Sequence, residues 1–194
     1  MDSYKYYDLH YEQFLNSIKD AHMNDQINRF IKYIKPSCYI LDAGCGSGRD
    51  SLTFIKLGYK VLSFDASVKM CEIAEQNTKQ QVLNLKFEDL NFKDKFDAIW
   101  ANASLLHVNH KYMNDVFKRL YNALKNDGIM YCSFKCRDAD YEKDGRYFTC
   151  FNQNNFIEFI KDTKFEIIEM NVSYDSRPER NNEKWLNIIL KKGL

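Results

Sequence analysis

The 194-residue sequence is poor in the residues that interrupt regular structure. It has only 2 prolines and 7 glycines, and it contains no internal repeat, low-complexity tract or Pro/Gly/Ser-rich linker. A chain of this length can bury a hydrophobic core without the help of disulfides or metals. We therefore predict a single domain over residues 1–194.

The sequence also lacks an excess of charge of either sign. Its 28 Lys and Arg residues face 27 Asp and Glu residues, which leaves a net charge of +1. This balance argues against a nucleic acid as partner, because phosphate backbones are bound by clustered basic residues. No apolar run is long enough to cross a membrane, and the polar start "MDSYKYYDLHYEQF" is unlike a signal peptide. We expect a cytoplasmic protein without a membrane partner, acting as a monomer or weak homodimer.

Metal-binding and phosphate-binding signatures are missing as well. Of the 6 cysteines, Cys132 and Cys136 are the closest pair, but no second pair and no His-x-x-x-His accompanies them. We expect reduced, packing cysteines and no metal site. No glycine is followed by Lys-Ser or Lys-Thr, which excludes a P-loop for nucleoside triphosphates.

What the sequence does contain is a regular alternation of strands and helices. "CYILDAG", "KVLSFDAS", "QVLNLKF", "FDAIWANAS" and "IMYCSFK" are typical of strands, and helical patterns connect most of them. The last two strands, "FEIIEMNVSYD" and "KWLNIILKK", are separated only by "SRPERNNE", which is too short for a crossover helix. The predicted fold is α/β: a Rossmann-like, doubly wound, seven-stranded sheet, mostly parallel with a C-terminal antiparallel hairpin.

A glycine-rich turn follows the first strand in "YILDAGCGSGRDS". Its glycines are spaced G-x-G-x-G, so the third comes one residue too early for a dinucleotide fingerprint, and Arg49 occupies the last fingerprint position. Asp42, at the end of the strand, would repel a pyrophosphate but could bind an ammonium group. Asp65 ends the next strand, where an acid accepts hydrogen bonds from ribose hydroxyls. The implied ligand has a ribose and an amine but no phosphate.

With these features the sequence resembles the class I S-adenosylmethionine (SAM)-dependent methyltransferases, and within them the small bacterial type-11 and tellurite-resistance-like enzymes. The resemblance extends from "YYDLHYEQF" to "RPERNNEKWLNIIL". It implies SAM as the cofactor and methyl transfer to a small-molecule O, N, S or metalloid acceptor. RNA or protein methylation, a non-catalytic SAM-binding regulator and a nucleotide-binding oxidoreductase are the alternatives.

The resemblance also implies roles for particular residues. Those expected to contact SAM are Tyr7, Tyr11, Asp42, Gly44, Cys45, Gly46, Asp65, Ala66, Met70, Glu88, Asp89, Asn102 and Ala103. His107 is expected near the transferred methyl group, as the candidate general base. The alternatives are that Glu88 and Asp89 are solvated loop acids and that His107 packs in the core.

Two segments are expected to close the site. Residues 1–35 are predicted to form N-terminal lid helices, whose tyrosines suit a sulfonium through cation–π attraction. Residues 135–150 are predicted to be a substrate lid inserted after the fifth strand. The residues expected to bind the acceptor are Arg146, Tyr147, Arg177 and Arg180, with the arginines converging on a carboxylate or other oxyanion. The alternative for each arginine is a solvated loop charge.

Overall fold

The computed structural model of the chain describes residues 2–193. The strands are β1 (Tyr39–Ala43), β2 (Lys60–Asp65), β3 (Val82–Asn84), β4 (Phe96–Ala101), β5 (Leu124–Lys135), β6 (Tyr141–Lys143), β7 (Arg146–Phe148), β8 (Phe165–Tyr174) and β9 (Lys184–Lys192). The α-helices are α1 (Ser3–Leu9), α2 (Tyr11–Ser17), α3 (Asn24–Phe30), α4 (Arg49–Lys56), α5 (Val68–Thr78), α6 (Met113–Ala123) and α7 (Gln153–Ile160).

Seven strands form one sheet in the order β3-β2-β1-β4-β5-β9-β8. The first five run parallel to one another, whereas β9 is antiparallel to both β5 and β8. The predicted mostly parallel sheet with an antiparallel end is therefore confirmed. Because the order reverses between β1 and β4, their carboxyl ends flank a crevice, which is where open α/β sheets bind ligands.

Both faces of the sheet are covered, and neighbouring residues of β1 show this directly. Ile40 packs on one face with Phe54, Trp100 and Tyr131, while Leu41 packs on the other face. Ile40 and Leu41 are fully buried. An apolar residue at every position is what a parallel strand between two helical layers requires.

The sixth and seventh strands form a separate β-hairpin within the segment predicted as a substrate lid. Its turn consists of Asp144 and Gly145, which both have positive φ, as in a type I′ turn. Thr149, just after the hairpin, donates its N–H to the carbonyl of Leu106 (2.7 Å) and its hydroxyl to that of Val108 (2.6 Å). The base of the hairpin is thus tied to the loop that follows β4.

One helix is shorter than its apolar pattern predicts. The apolar stripe in "YMNDVFKRLYNALKNDG" predicts a helix that ends at Gly128. Instead α6 ends at Ala123, because Leu124 already pairs with Phe96 at the start of β5. Gly128 is therefore no helix stop. It lies in an irregular part of β5 where an added Cβ would come within 2.8 Å of the Lys125 carbonyl oxygen.

Among residues 2–193, no helix combines the length and the apolar character that a membrane crossing requires.

Candidate active site

A large cavity of about 1220 Å³ opens at the carboxyl ends of the parallel strands. One part, which we call the cofactor half, is lined by the glycine turn after β1 and by the residues that follow β2 and β4. The other part, which we call the acceptor half, is lined by residues of the β6–β7 hairpin, by Lys135 at the end of β5 and by the loop between β8 and β9. Helix α1 lines both parts.

The glycine turn requires glycine for two different reasons. Gly44 has φ of +76°, and an added Cβ would lie 2.5 Å from the Cβ of Ser104, so that position has neither the conformation nor the space for a side chain. Gly46 has φ of +54°, but an added Cβ would meet only the ring of Phe14, at 3.9 Å. The backbone at Gly46 thus faces the cavity, where a ligand can approach it closely.

Asp65 holds this turn in place from the end of β2. Its carboxylate accepts hydrogen bonds from the backbone N–H groups of Gly46 and Ser67, each at 2.9 Å. Burial raises the pKa of Asp65, and these N–H donors oppose the rise. Since each carboxylate oxygen can accept more than one hydrogen bond, Asp65 retains capacity for ligand hydroxyls.

Asp42 is nearly inaccessible to solvent, with 2% of its surface exposed. Burial, reinforced by the nearby carboxylate of Asp50, raises the pKa of Asp42 to about 8. The hydroxyl of Ser51 donates to Asp42 at 2.5 Å and partly offsets the rise. A carboxyl group in such surroundings gains stability when a cation is bound close to it.

Asp50 belongs to the site although the sequence analysis did not select it. Its carboxylate accepts hydrogen bonds from Trp100 Nε1 and Asn102 Nδ2, both at 3.0 Å, and from Arg49 Nε at 2.7 Å. The sequence signal was an acid in the first turn of the helix after the glycines. Apart from the adjacent Arg49, its donors could not be read from the sequence, because they come from β4 and from the residue that follows it.

Helix α1 is fixed over the cavity by contacts at both of its sides. The Asp8 carboxylate accepts from the Ser67 hydroxyl at 2.6 Å, next to the start of α5. The hydroxyl of Ser3 accepts from the backbone N–H of Tyr147 in the hairpin at 3.1 Å. Between them, the ring of Tyr7 packs edge-to-face on Phe14, with 4.9 Å between centroids. Helix α1 therefore bridges the start of α5 and the hairpin.

His107 lies where α1, the hairpin and the loop after β4 meet. Its Nδ1 is 2.9 Å from the carbonyl oxygen of Tyr147, and its Nε2 is 2.7 Å from the hydroxyl of Tyr7. Burial, with a contribution from the Arg146 guanidinium, lowers the pKa of His107 to about 4. A neutral ring beside a carbonyl oxygen carries its proton on Nδ1, so Nε2 accepts from Tyr7.

Three mostly buried basic side chains contribute to the acceptor half. Lys135 is paired with Glu183, and Arg177 donates two hydrogen bonds to Asp175, at 2.8 and 2.6 Å. Arg146 has a weaker partner, Asp144, at 3.3 Å. All three arginines expected to bind the acceptor line this half. They differ in how their charge is compensated, because Arg180 is exposed to solvent and Arg177 is neutralised by Asp175.

Comparison with known proteins agrees with this geometry. Residues 40–128 match the profile of the family described as "Methyltransferase domain". Residues 40–128 thus carry a methyltransferase domain. The resemblance seen in the sequence is thereby confirmed, and the cofactor of the domain is SAM.

Individual relatives are similar over part of their length. A ubiquinone biosynthesis O-methyltransferase of Pelagibacter ubique is 34% identical over 60% of this chain and 48% of its own length. A probable SAM-dependent methyltransferase, TehB of Haemophilus influenzae, is 23% identical over 79% of this chain and 55% of its own. The chain thus spans about half the length of these curated relatives.

The fold itself matches solved methyltransferase structures over the whole chain. The 1,6-didemethyltoxoflavin-N1-methyltransferase of Burkholderia thailandensis, solved with 1,6-didemethyltoxoflavin and S-adenosylhomocysteine bound, superposes with a TM-score of 0.77. The alignment covers 100% of this chain and 92% of that one at 19% identity. At this identity the similarity concerns the fold.

Most residues that the resemblance assigned to the methyltransferase site line the cavity. They are Tyr7, Asp42, Gly44, Cys45, Gly46, Asp65, Ala66, Met70, Glu88, Asn102, Ala103, His107, Arg146, Tyr147, Arg177 and Arg180. Tyr11 and Asp89 lie outside it. The hydroxyl of Tyr11 binds the adjacent Glu12 at 3.0 Å, and Asp89 is turned to solvent by the short 3₁₀ helix Phe87–Asp89, which buries Phe87 instead.

The residues of the cofactor half fit SAM. The buried Asp42 is suited to a nearby cation, Asp65 can accept from hydroxyls, and the Gly46 backbone is open to close approach. The two acids do not suit a phosphate group, because each would repel its negative charge. The methyltransferase fold and its local chemistry therefore agree.

Proposed function

We propose that the protein transfers a methyl group from SAM to a small-molecule acceptor. The main support for this proposal is one cavity. It is lined both by Asp42 and Asp65, the acids beside the glycine turn, and by the hairpin with its basic residues. When bound, SAM supplies an electrophilic methyl group on a sulfonium. The chain must then hold the acceptor in line with that group and exclude water.

The proposed cofactor contacts follow from the chemistry of each side chain. Asp42 balances the positive charge of the methionine end, and Gly46 lets that end approach the backbone. Asp65 accepts from the ribose hydroxyls while it holds the glycine turn. Glu88, rather than Asp89, is the acid beside the adenine, since Glu88 borders the cavity.

We propose that residues 1–35 and 135–150 act as lids within one domain. Support comes from α1, which contacts both the start of α5 and the hairpin. Tyr7 and Phe14 present aromatic rings over the glycine turn, a surface that attracts a sulfonium. Closing the site with the acceptor inside would exclude the water that competes with it.

His107 is better suited to hold Tyr7 than to accept a proton. Both ring nitrogens are engaged, and the lowered pKa disfavours the imidazolium that general-base catalysis would produce. We therefore propose that His107 is a positioning residue for α1, in contrast to the general-base role expected from the sequence.

The first experiment is direct. Binding of S-adenosylhomocysteine to the purified protein is measured by calorimetry. Labelled SAM is then incubated with the protein and a lysate of the source organism, and the mixture is separated by size. Label in the small-molecule filtrate supports the proposal, whereas label retained with RNA or protein contradicts the small-molecule acceptor. Tight binding without any transfer would favour a non-catalytic SAM-binding regulator.

A further inference from the structure

The cations of the acceptor half differ in how well they are neutralised. The side chains of Lys135, Arg146 and Arg177 are 6%, 14% and 12% exposed, so all three have lost most of their water. Lys135 and Arg177 have carboxylate partners that are themselves largely shielded, at 28% and 4% exposure. Despite the opposing effect of burial, the hydrogen bonds from Arg177 lower the pKa of Asp175 to about 2, as expected for a tight pair.

Among residues 2–193, Arg146 has no comparably shielded carboxylate partner. Its partner Asp144 is 55% exposed at the hairpin turn and lies 3.3 Å from Nη2. An exposed pair of this kind contributes little to stability. The buried Nε of Arg146 has no hydrogen-bond partner within residues 2–193. Leaving a charged donor buried and unsatisfied is costly, and a ligand that accepts from Nε would offset this cost.

The surroundings hold the guanidinium rigidly. Its Cζ lies 3.9 Å from the centre of the Tyr6 ring and 5.4 Å from that of Phe148. Tyr6 belongs to α1 and Phe148 to the hairpin, so the two lids clamp the group from different sides. A planar guanidinium fixed in this way is pre-organised for a planar, two-oxygen partner.

We infer that the methyl acceptor is a small carboxylate and that Arg146 binds its carboxylate group. This inference rests on the proposed function and names its substrate class. The charge balance favours a carboxylate over a phosphate monoester. Arg146 offers one uncompensated positive charge, whereas a phosphate near neutral pH carries about two negative charges. Arg146 is then a specificity-determining residue on the hairpin.

The test separates acceptors by charge before methyl transfer is measured. The small-molecule filtrate of the source lysate is bound to a strong anion exchanger at about pH 8. The exchanger is eluted first at about pH 2.5, where carboxylates with a pKa near 4 lose their charge. It is then eluted with salt at the same pH, which releases phosphates and sulfates. Each fraction is assayed with the protein and labelled SAM.

Acceptor activity in the acid eluate is the expected result. Activity in the unbound fraction would overturn the anionic acceptor, and activity in the salt eluate would overturn the carboxylate. Transfer in no fraction, with S-adenosylhomocysteine binding intact, would contradict the proposed function itself, so the two failures are distinguishable.

Matched variants connect the acceptor to Arg146. With the active fraction as substrate, Arg146→Gln should raise the apparent KM at least tenfold, the loss of one charge-assisted hydrogen bond or more. Arg146→Lys keeps the charge but lacks the paired N–H donors of a guanidinium, so it should give an intermediate KM. The control Lys161→Gln removes an exposed charge at the end of α7, from a residue that does not line the cavity. Unchanged S-adenosylhomocysteine affinity in all three would show that they fold. Equal KM values for Arg146→Gln and Lys161→Gln would refute the assignment.

Discussion

The hydroxyl of Tyr7 donates a 2.7 Å hydrogen bond to Nε2 of His107, a residue 100 positions later in the chain. The contact joins the first helix to the loop after β4, and Nδ1 of the same ring is held by the Tyr147 carbonyl of the hairpin. One neutral imidazole therefore connects three segments that surround the cavity.

His107 should make the protein less stable in mild acid. Its pKa of about 4 in the folded protein lies below the value of about 6.5 in an unfolded chain. The unfolded state therefore binds the extra proton between these values, and the free energy of unfolding falls as the pH drops through this range, by up to roughly 1.4 kcal/mol per pH unit. Urea titrations of wild type and His107→Gln at several pH values measure how the stability difference between the two proteins changes with pH, and this change should stop above about pH 7. An identical acid dependence in both proteins would show that His107 is not held neutral.

Asp42 should have the opposite pH dependence. Its pKa of about 8 lies above the ordinary value, so ionisation costs stability as the pH rises from about 4 to about 8, after which the effect is constant. Without SAM, Asp42→Asn should therefore be more stable than wild type at about pH 8, by at least ~1 kcal/mol. The same variant should bind SAM more weakly, because the neutral amide cannot balance a cation. A less stable variant at pH 8, or one with unchanged SAM affinity, would contradict this role.

Gly44 and Gly58 separate the two reasons for a glycine, backbone conformation and lack of space. Both have left-handed φ, of +76° and +88°, but an added Cβ would be 2.5 Å from Ser104 at Gly44 and would have open space at Gly58. Gly58→Ala should cost about 1 kcal/mol for the backbone conformation alone. Gly44→Ala should cost several kcal/mol and displace the turn, because Ser104 is itself buried and hydrogen-bonded to Ala43. Thermal unfolding with and without S-adenosylhomocysteine tests this, and equal costs would rule out the steric argument.

Asp50 should stabilise the protein through its three donors. Asp50→Ala leaves the indole N–H of Trp100 without its acceptor in a fully buried position and also releases Asn102. We expect a loss of about 2–4 kcal/mol, measured by urea unfolding. Asp97→Ala is the control. Asp97 likewise accepts from more than one donor, the backbone N–H of Tyr39 and the Lys125 ammonium, but it is half-exposed and lies away from the cavity. An equal loss of unfolding free energy in both variants would show that burial of the Asp50 hydrogen bonds adds no stability.

Much of the fold could be predicted from the sequence because its signals are local. Apolar runs of strand length, the glycine turn and the length of the last loop were sufficient for the sheet and its antiparallel end. The glycine that closes the apolar pattern "RDSLTFIKLG" predicts a helix end, and Gly58 has left-handed φ two residues after the last residue of α4. The β6–β7 hairpin was missed, although its Asp-Gly turn is a recognisable signal, because its strands are only 3 residues long.

The sequence by itself determined the family and the acids of the cofactor half, since Asp42 and Asp65 are placed by the ends of their own strands. Tertiary structure decided what those residues and the basic residues can do. It buried Asp42 beside Asp50, turned Asp89 away from the cavity, and engaged both nitrogens of His107. It also neutralised Arg177 through Asp175 while leaving Arg146 short of partners. Burial and pairing depend on segments distant in the chain, and spacing along a sequence does not contain them.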